Sequence, residues 1–228
     1  MPKHFTVIDD QANFVVINKV AGINFHDEDK LGNGLFNQVK QQLKLEELYP
    51  VHRLDKMTSG IVIMAKNLAT TQQFQQLFND HNIEKYYVAL SDKRPKKKQG
   101  LIKGDMAKSR RGCYKLLRSQ KNPAITQFCS YSITNGIRLF LLKPHSGKTH
   151  QIRVALNSIG APILGDNRYT GGEADRGYLH AYALKFTFNE HQYEYLCAPN
   201  SGELFLQAST QAVLSQLQLP WQLNWPKV

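Results

Sequence analysis

The residues best suited to chemistry lie in one short segment, HRLD at positions 52–55. An apolar, largely β-branched run at 61–65 follows shortly afterwards, directly behind Gly60. A short run of this kind predicts a buried strand, so the polar segment occupies a loop just before a core strand. Rigid scaffolds hold catalytic groups in such positions. Because a neighbouring Arg lowers the pKa of an Asp by roughly 1–3 units, the ionised side chain of Asp55 beside Arg53 is the first candidate for catalysis.

The segment HRLDKMTSG, followed by the apolar run and AKN, resembles the signature of the RluA family of pseudouridine synthases. The initial His favours the RluA-like group over the RsuA-like group, in which the segment reads GRLD. Three later segments are similar to other motifs of the family and occur in a matching order. They are NKVAG at 18–22, KYYVA at 85–89 and KPHSGKTHQIRV at 143–154.

The resemblance implies a role for particular side chains. Asp55 corresponds to the essential catalytic residue, and Arg153 to the arginine that pairs with it. Tyr87 corresponds to the tyrosine that stacks on the target base near the reacting carbon. Arg53 matches an arginine that enters the space left by a flipped nucleotide, and Leu179, in an LHA segment, is expected to line the base pocket.

Other cationic or hydrogen-bonding side chains are candidates for RNA contacts. Basic runs at 93–98 and 108–112 are either phosphate contacts or merely solvated, and phosphate contacts position a polyanion without reading its sequence. Lys19 could equally be a solvated lysine at a strand end. His180 is expected to be a buried hydrogen-bonding residue, and Asp166 a structural carboxylate. The candidates for RNA binding are Arg53, His52, Lys19, Lys85, Lys148, His150, Arg110 and Arg111.

The chain departs from the family pattern at three places. Val20 replaces the usual Pro of the first motif, Ala155 replaces a His that often follows the third motif, and Ala161 replaces the His of an HPILGD segment. These departures point to a divergent subgroup.

Composition favours a polyanionic partner. The 228 residues include 29 Lys and Arg against 18 Asp and Glu, which gives a net charge of +11. Nucleic acid is the usual partner of such a chain, the alternative being a solubilising surface. No apolar run approaches the roughly 20 residues that cross a bilayer, and the first ten residues do not read as a signal peptide. We therefore expect a cytoplasmic protein with no membrane partner.

No cofactor or metal is expected. The sequence Gly147-Lys148-Thr149 looks like the end of a P-loop, but Leu142 stands where the first glycine is required. The three cysteines have no CxxC spacing, which argues for reduced thiols and against a structural zinc site.

The resemblance implies an α+β fold, with a bent, mostly antiparallel mixed sheet and flanking helices. We expect one catalytic domain over 1–228, without an S4 domain, acting as a monomer. Periodicity predicts a helix capped by Asn33, a helix capped by Asn67, a helix starting near Thr149, and a helix over 202–217. Thr134-Asn135-Gly136 predicts a hairpin turn. The predicted strands are 5–8, 14–18, 61–65, 83–90, 124–133, 137–142, 182–188 and 193–196.

The function implied is isomerisation of a specific uridine in tRNA or rRNA to pseudouridine. The reaction breaks the N1–C1′ bond, rotates the uracil and rejoins it through C5, so it changes no oxidation state. A uridine in folded RNA must be flipped out to react. Two alternatives stay open: a non-catalytic RNA-binding or RNA-folding protein on the same fold, and an unrelated hydrolase that uses Asp55 with His52.

Overall fold

A computed structural model describes residues 4–27, 32, 34–134 and 136–228. The strands are β1 Phe5–Asp10, β2 Phe14–Lys19, β3 Tyr49–Pro50, β4 Ser59–Ala65, β5 Ile83–Ser91, β6 Gln99–Gly104, β7 Met106–Lys108, β8 Tyr114–Leu116, β9 Ala124–Ser132, β10 Arg138–Pro144, β11 Leu179–Phe188 and β12 His191–Leu196. The helices are α1 Leu35–Gln42, α2 Leu68–Asn79, α3 Gln151–Ser158, α4 Glu203–Leu206 and α5 Ala208–Leu214. Short 3-10 turns cover Arg110–Gly112, Asn167–Tyr169, Ser215–Leu217 and Pro220–Gln222.

Ten of these strands form one mixed sheet in the order β1-β2-β4-β11-β5-β10-β9-β6, with β12 beside β11 and β3 beside β4. Strands β7 and β8 form a separate two-stranded ribbon. The pairing of β4 with β11 is parallel and short, and the other pairings of the sheet are antiparallel. The predicted α+β fold with a mostly antiparallel mixed sheet is therefore confirmed.

The parallel contact between β4 and β11 depends on Gly60. This residue adopts a φ of +108°, and a Cβ at this position would collide with the backbone of Ala181. Glycine tolerates both the dihedral angle and the close approach. As a result, β11 lies directly against the end of the loop that carries Asp55.

Strand β4 is buried along its whole length because helices cover both faces of the sheet. Val62 and Met64 pack in an apolar cluster with residues of α1, and Ile61 and Ile63 pack in another cluster with Phe74 of α2. This alternation is the period of two that a strand imposes on its side chains. Each such burial stabilises the fold by roughly 1.5–3 kcal/mol, which fixes the loop before β4 to a rigid strand.

Helix α2 begins as predicted, whereas the helix predicted over 202–217 is broken. The side chain of Asn67 accepts the Thr70 N–H at 2.8 Å and caps α2. At the C-terminal end, Gln207 is extended (φ −60°, ψ 140°) and separates α4 from α5. The side chains of Thr210 and Gln211 donate hydrogen bonds to carbonyl groups of α4, in place of the backbone hydrogen bonds that a continuous helix would form. No Gly or Pro marks this break, so the sequence pattern did not reveal it.

Two residues with predicted local roles, a helix cap and a hairpin turn, lie outside the described part of the chain. Asn33, the expected cap of α1, is one, and Asn135 of the expected hairpin turn is the other. The strands on either side of the turn do pair antiparallel, with Arg138 opposite Ser132.

Candidate active site

Most of the predicted site residues line one cleft of about 570 Å³. Its walls come from the loop before β4, the end of α2, strand β5, the segment 144–153 and the start of β11. Three predicted residues lie elsewhere: Lys19, Arg110 and Arg111. The predicted residues within the lining are His52, Arg53, Asp55, Lys85, Tyr87, Lys148, His150, Arg153 and Leu179.

Arg153 joins two carboxylates at the base of this cleft. Its Nη1 donates to Oδ2 of Asp55 at 3.0 Å, while its Nε and Nη2 donate to Oδ2 and Oδ1 of Asp166 at 2.7 and 2.8 Å. Burial alone would lower the pKa of Arg153, but Asp166 and then Asp55 raise it above its ordinary value. The guanidinium is therefore permanently charged and holds the Asp55 carboxylate in a fixed orientation.

Asp166 is a structural carboxylate, as predicted, but its partner was not foreseen. Its side chain is 1% exposed, against 30% for Asp55. It also accepts the Arg168 N–H at 3.3 Å and so caps the turn Asn167–Tyr169. The HPILGD-like segment at 161–166 indicated a structural role for Asp166, but nothing in that segment indicated that Asp166 binds Arg153 bidentately.

Lys19 supports the loop that carries Asp55. Its ammonium group is fully buried and donates to the carbonyl oxygens of Val20, Lys56 and Thr58 at 2.9, 3.2 and 2.8 Å. Burial, with a smaller contribution from Arg176, lowers the pKa of Lys19 to about 7. The predicted phosphate contact does not fit this placement, because the charged group lies beneath the loop and not on the surface.

His52 ties the same loop to strand β4. Its Nε2 accepts the Ile63 N–H at 2.9 Å, and its ring lies against Phe78. Burial, assisted by the charge of Lys85, lowers the pKa of His52 to about 3, so the imidazole is neutral. Because its Nε2 lone pair is already engaged, His52 is poorly suited to act as a general base with Asp55 in the hydrolase alternative.

Tyr87 and Leu179 form the apolar wall opposite the carboxylate. They belong to neighbouring strands, since β5 pairs with β11 with Ala89 opposite Leu179. Burial, and then the charge of Asp55, raise the pKa of Tyr87 above its ordinary value, which keeps the phenol protonated. Tyr86 points to the other face of the sheet, where it meets the ring of Trp225.

Cations lie at the rim and inside the cleft. Arg53 is exposed at the rim, and Lys148 there binds the side-chain oxygen of Asn122 at 3.1 Å. Lys85 is almost buried, and desolvation lowers its pKa. The predicted residues Arg110 and Arg111 lie on the exposed turn between β7 and β8.

His150 connects the carboxylate to a tyrosine that the sequence did not single out. Tyr169 accepts the Tyr114 N–H at 2.9 Å, which leaves its hydroxyl to donate to Nδ1 of His150, also at 2.9 Å. The proton of the imidazole then resides on Nε2, which lies 3.9 Å from Oδ2 of Asp55. His150 has a φ of 58° and is the N-cap of α3, so the helix begins at Gln151, close to the start predicted near Thr149.

Arg176 is a second residue that sequence reasoning missed. It donates to Oγ of Ser59 at 2.6 Å and to Oγ of Ser201 at 2.8 Å. Ser59 also lies 2.7 Å from Nδ1 of His180, whose Nε2 bonds the carbonyl oxygen of Cys197. His180 is thus the buried hydrogen-bonding residue that was predicted. No recognisable motif surrounds Arg176, which explains why it was overlooked.

Neither a metal cluster nor a membrane span is found within the described ranges. No group of three or more His, Cys, Asp and Glu side chains there is placed to hold a metal ion. Likewise, none of the helices in that part of the chain has the length and apolar character needed to cross a bilayer.

Comparison with known proteins identifies the family. Residues 13–158 match the family model described as RNA pseudouridylate synthase. An uncharacterized RNA pseudouridine synthase of Haemophilus influenzae is 45% identical over 215 residues, covering 93% of this chain and 94% of that protein. Ribosomal large subunit pseudouridine synthase D of Borreliella burgdorferi is 31% identical, and the match covers 82% of this chain but 63% of that longer protein.

Two solved human structures superpose on this chain. Human RNA pseudouridylate synthase domain containing 4 superposes with a TM-score of 0.71 at 25% identity, over 88% of this chain and 90% of that one. Human RNA pseudouridylate synthase domain containing 1 gives a TM-score of 0.73 at 22% identity, over 92% and 94%, and shares the fold. The chain belongs to the RNA pseudouridylate synthase family, in its RluA-like group. It is accordingly an isomerase of the class that converts uridine in RNA to pseudouridine.

Proposed function

We propose that the protein isomerises a specific uridine in tRNA or rRNA, with Asp55 as the catalytic residue. The observation that carries this proposal is the placement of Asp55. Its partly exposed carboxylate lies in the cleft, 3.0 Å from a buried Arg153, in a cleft whose wall includes Tyr87. A preorganised charge held by a buried partner is an arrangement that stabilises charge developing in a transition state.

The proposed reaction takes place on a uridine flipped into the cleft. Stacking of the uracil on Tyr87 offsets part of the cost of unstacking, at roughly 1–3 kcal/mol for a base on an aromatic ring. The N1–C1′ bond breaks, the base rotates, a C5–C1′ bond forms, the C5 proton leaves, and N1 takes up a proton. One proton is lost from C5 and one is gained at N1, so the product is an isomer and no oxidant, reductant or water is consumed.

Three roles in this reaction are open to Asp55: attack at C1′, attack at C6, or assistance to proton removal. The raised pKa of Tyr87 argues against a phenolate as the base that takes the C5 proton. The carboxylate of Asp55 is the anionic group of the cleft lining, so we assign proton removal to Asp55 rather than to Tyr87.

Binding of the RNA around the target rests on the rim of the cleft. Arg53 is exposed there, and we propose that it enters the space that the flipped nucleotide leaves. Lys148, also at the rim, is suited to a phosphate contact. Lys85 lines the cleft and is nearly buried, so we assign it a polar contact with the nucleotide inside the cleft.

The test is release of tritium from RNA labelled at uridine C5, prepared from cells that lack this gene. Wild-type protein is expected to release tritium, and Asp55→Asn is expected to release none above background. Asp10→Asn is the matched control, since it makes an identical chemical change at an exposed carboxylate on the edge strand β1. Full activity of Asp55→Asn would refute the assignment. RNA binding without release by any of the proteins would instead favour the non-catalytic RNA-binding function.

Separate assays of the tRNA and rRNA fractions would identify the substrate. The position of the modified nucleotide would then be mapped in whichever fraction releases tritium. Equal, low release from both fractions would contradict the proposal of a specific uridine.

A further inference from the structure

A second cleft opens on the other side of the catalytic carboxylate. Its volume is about 590 Å³, close to that of the first cleft. Asp55, His150 and Arg153 line both clefts, so the two meet at the proposed catalytic centre. The lining of the second cleft otherwise comes from segments 21–24, 56–57, 165–168 and 175–177.

The second cleft has a surplus of positive charge. Its three acidic residues are already engaged: Asp55 and Asp166 bind Arg153, and Asp175 accepts from the Tyr178 hydroxyl and the Glu203 N–H. By contrast, the side chains of Lys56 and Arg168 are exposed. Neither forms an ion pair with another residue of the described part of the chain.

The ribbon of β7 and β8 extends this positive surface. Cys113 lies with its Sγ 3.4 Å from the carbonyl oxygen of Arg168, and a Cβ added to Gly112 would lie 3.1 Å from Nη1 of the same residue. The exposed Arg110 and Arg111 therefore follow immediately beyond Arg168. The basic run at 108–112 therefore lies beside Arg168, at the margin of the second cleft.

The other basic run, at 93–98, lies at the far end of the sheet from the first cleft. It follows Ser91, which pairs with Arg138 at the beginning of β10, whereas the first cleft touches Pro144 at the end of that strand. Six residues of strand correspond to roughly 20 Å. The two runs, which the sequence could not tell apart, thus differ in their relation to the site.

We propose that the second cleft binds the nucleotide adjacent to the target uridine, with Lys56 and Arg168 contacting its phosphates. This inference rests on the proposed function for the identity of the target. A polynucleotide is continuous, so a uridine in the first cleft must be linked to a neighbour, and the second cleft opens from the same carboxylate that the ribose would approach. Its exposed cations match the phosphate chemistry of that neighbour.

The experiment measures binding of a fluorescein-labelled 12-nucleotide oligouridylate by anisotropy between 50 and 200 mM NaCl. All proteins carry Asp55→Asn, so that no turnover occurs. Lys56→Gln/Arg168→Gln is compared with Lys96→Gln/Lys97→Gln, which removes an equal charge from exposed side chains that do not line the second cleft. For single strands each lost phosphate contact reduces the slope of log K against log salt by about 0.7.

We expect the slope to fall by about 1.4 for Lys56→Gln/Arg168→Gln and to stay within error for Lys96→Gln/Lys97→Gln. An equal change in both double variants, or no change in either, would overturn the second cleft as a phosphate-binding site. Thermal unfolding of each variant checks that the fold is kept. The tritium assay is separate: absence of release from RNA together with the expected slopes would defeat the proposed function and leave the binding inference standing.

Discussion

The two carboxylates that share Arg153 are expected to differ in what they contribute. Asp166 is 1% exposed and binds the guanidinium through two hydrogen bonds, whereas Asp55 is 30% exposed and accepts one. We therefore predict that Asp166→Asn mainly reduces stability and that Asp55→Asn mainly abolishes activity. The two substitutions make an identical chemical change, so that their comparison isolates the effect of position.

The cost of Asp166→Asn follows from the burial of the pair. Removing one partner from a buried ion pair leaves an uncompensated charge and costs about 3–5 kcal/mol. Asparagine keeps one oxygen acceptor but offers Arg153 no negative charge and cannot accept both hydrogen bonds. With a urea m-value of about 3 kcal/mol per M, the unfolding midpoint should fall by about 1–1.7 M. Total stabilities of about 5–15 kcal/mol leave the variant folded.

The cost of Asp55→Asn should be much smaller. Its carboxylate is partly solvated, and exposed ion pairs contribute about 0–1 kcal/mol. Arg153 also retains Asp166 in this variant, so no buried charge is left alone. The urea midpoint should therefore move by less than about 0.4 M, although tritium release is lost.

Urea unfolding followed by tryptophan fluorescence, together with the tritium assay, measures both quantities. Asp10→Asn again serves as the control for an exposed carboxylate. An Asp166→Asn variant with an unchanged midpoint would refute the reasoning, because Arg153 would then not depend on its buried partner. A large loss of stability in Asp55→Asn would also refute it, because the partly solvated carboxylate is expected to contribute little to stability.

Two further predictions concern the wall of the cleft and the support of its loop. Tyr87→Ala should lower kcat/KM by about 5–150-fold, equivalent to the roughly 1–3 kcal/mol of base stacking. Tyr87→Phe should retain most activity and the wild-type pH profile between pH 6 and 9, since the phenol is already protonated there. A Phe variant as impaired as the Ala variant would contradict this. For Lys19, burial lowers the pKa in the folded state to about 7, against about 10.5 in the unfolded chain. Between these two pH values the unfolded state binds more protons than the folded state. The contribution of Lys19 to stability therefore rises with pH, by at most about 1.4 kcal/mol per pH unit. Urea midpoints of wild type and Lys19→Met at pH 7 and pH 9 check this, and parallel shifts in the two proteins would contradict it.

The sequence predicted the elements that carry local signals. The short β-branched run predicted β4, the polar cap Asn67 predicted the start of α2, and the motif resemblance paired Asp55 with Arg153 across 98 positions of sequence. Tyr87 also lies in the same cleft as Asp55, where the resemblance placed it. In each case a short stretch of residues determines the feature.

The features that were missed depend on contacts between distant segments. Lys19 reads as an ordinary lysine at a strand end, and only the packing of the loop over it reveals three carbonyl groups around its ammonium. Tyr169 gives no local sign that its hydroxyl will meet His150. The extended conformation of Gln207 is likewise set by the hydrogen bonds that replace the helix, not by a helix-breaking residue.

The division of Arg153 between two carboxylates bears directly on the proposed chemistry. Each part proposed for Asp55 consumes its negative charge for a time, either in a covalent bond or on taking up a proton. A buried arginine paired with Asp55 alone would then stand uncompensated, which would oppose the step by several kcal/mol. Because the Nε and Nη2 edge of Arg153 is bound to Asp166, the guanidinium keeps a buried counter-charge while Asp55 reacts through a single hydrogen bond from Nη1. We therefore predict that Asp166→Asn slows the chemical step itself in single-turnover measurements, at a temperature where the variant is fully folded and its loss of stability cannot explain the slower rate.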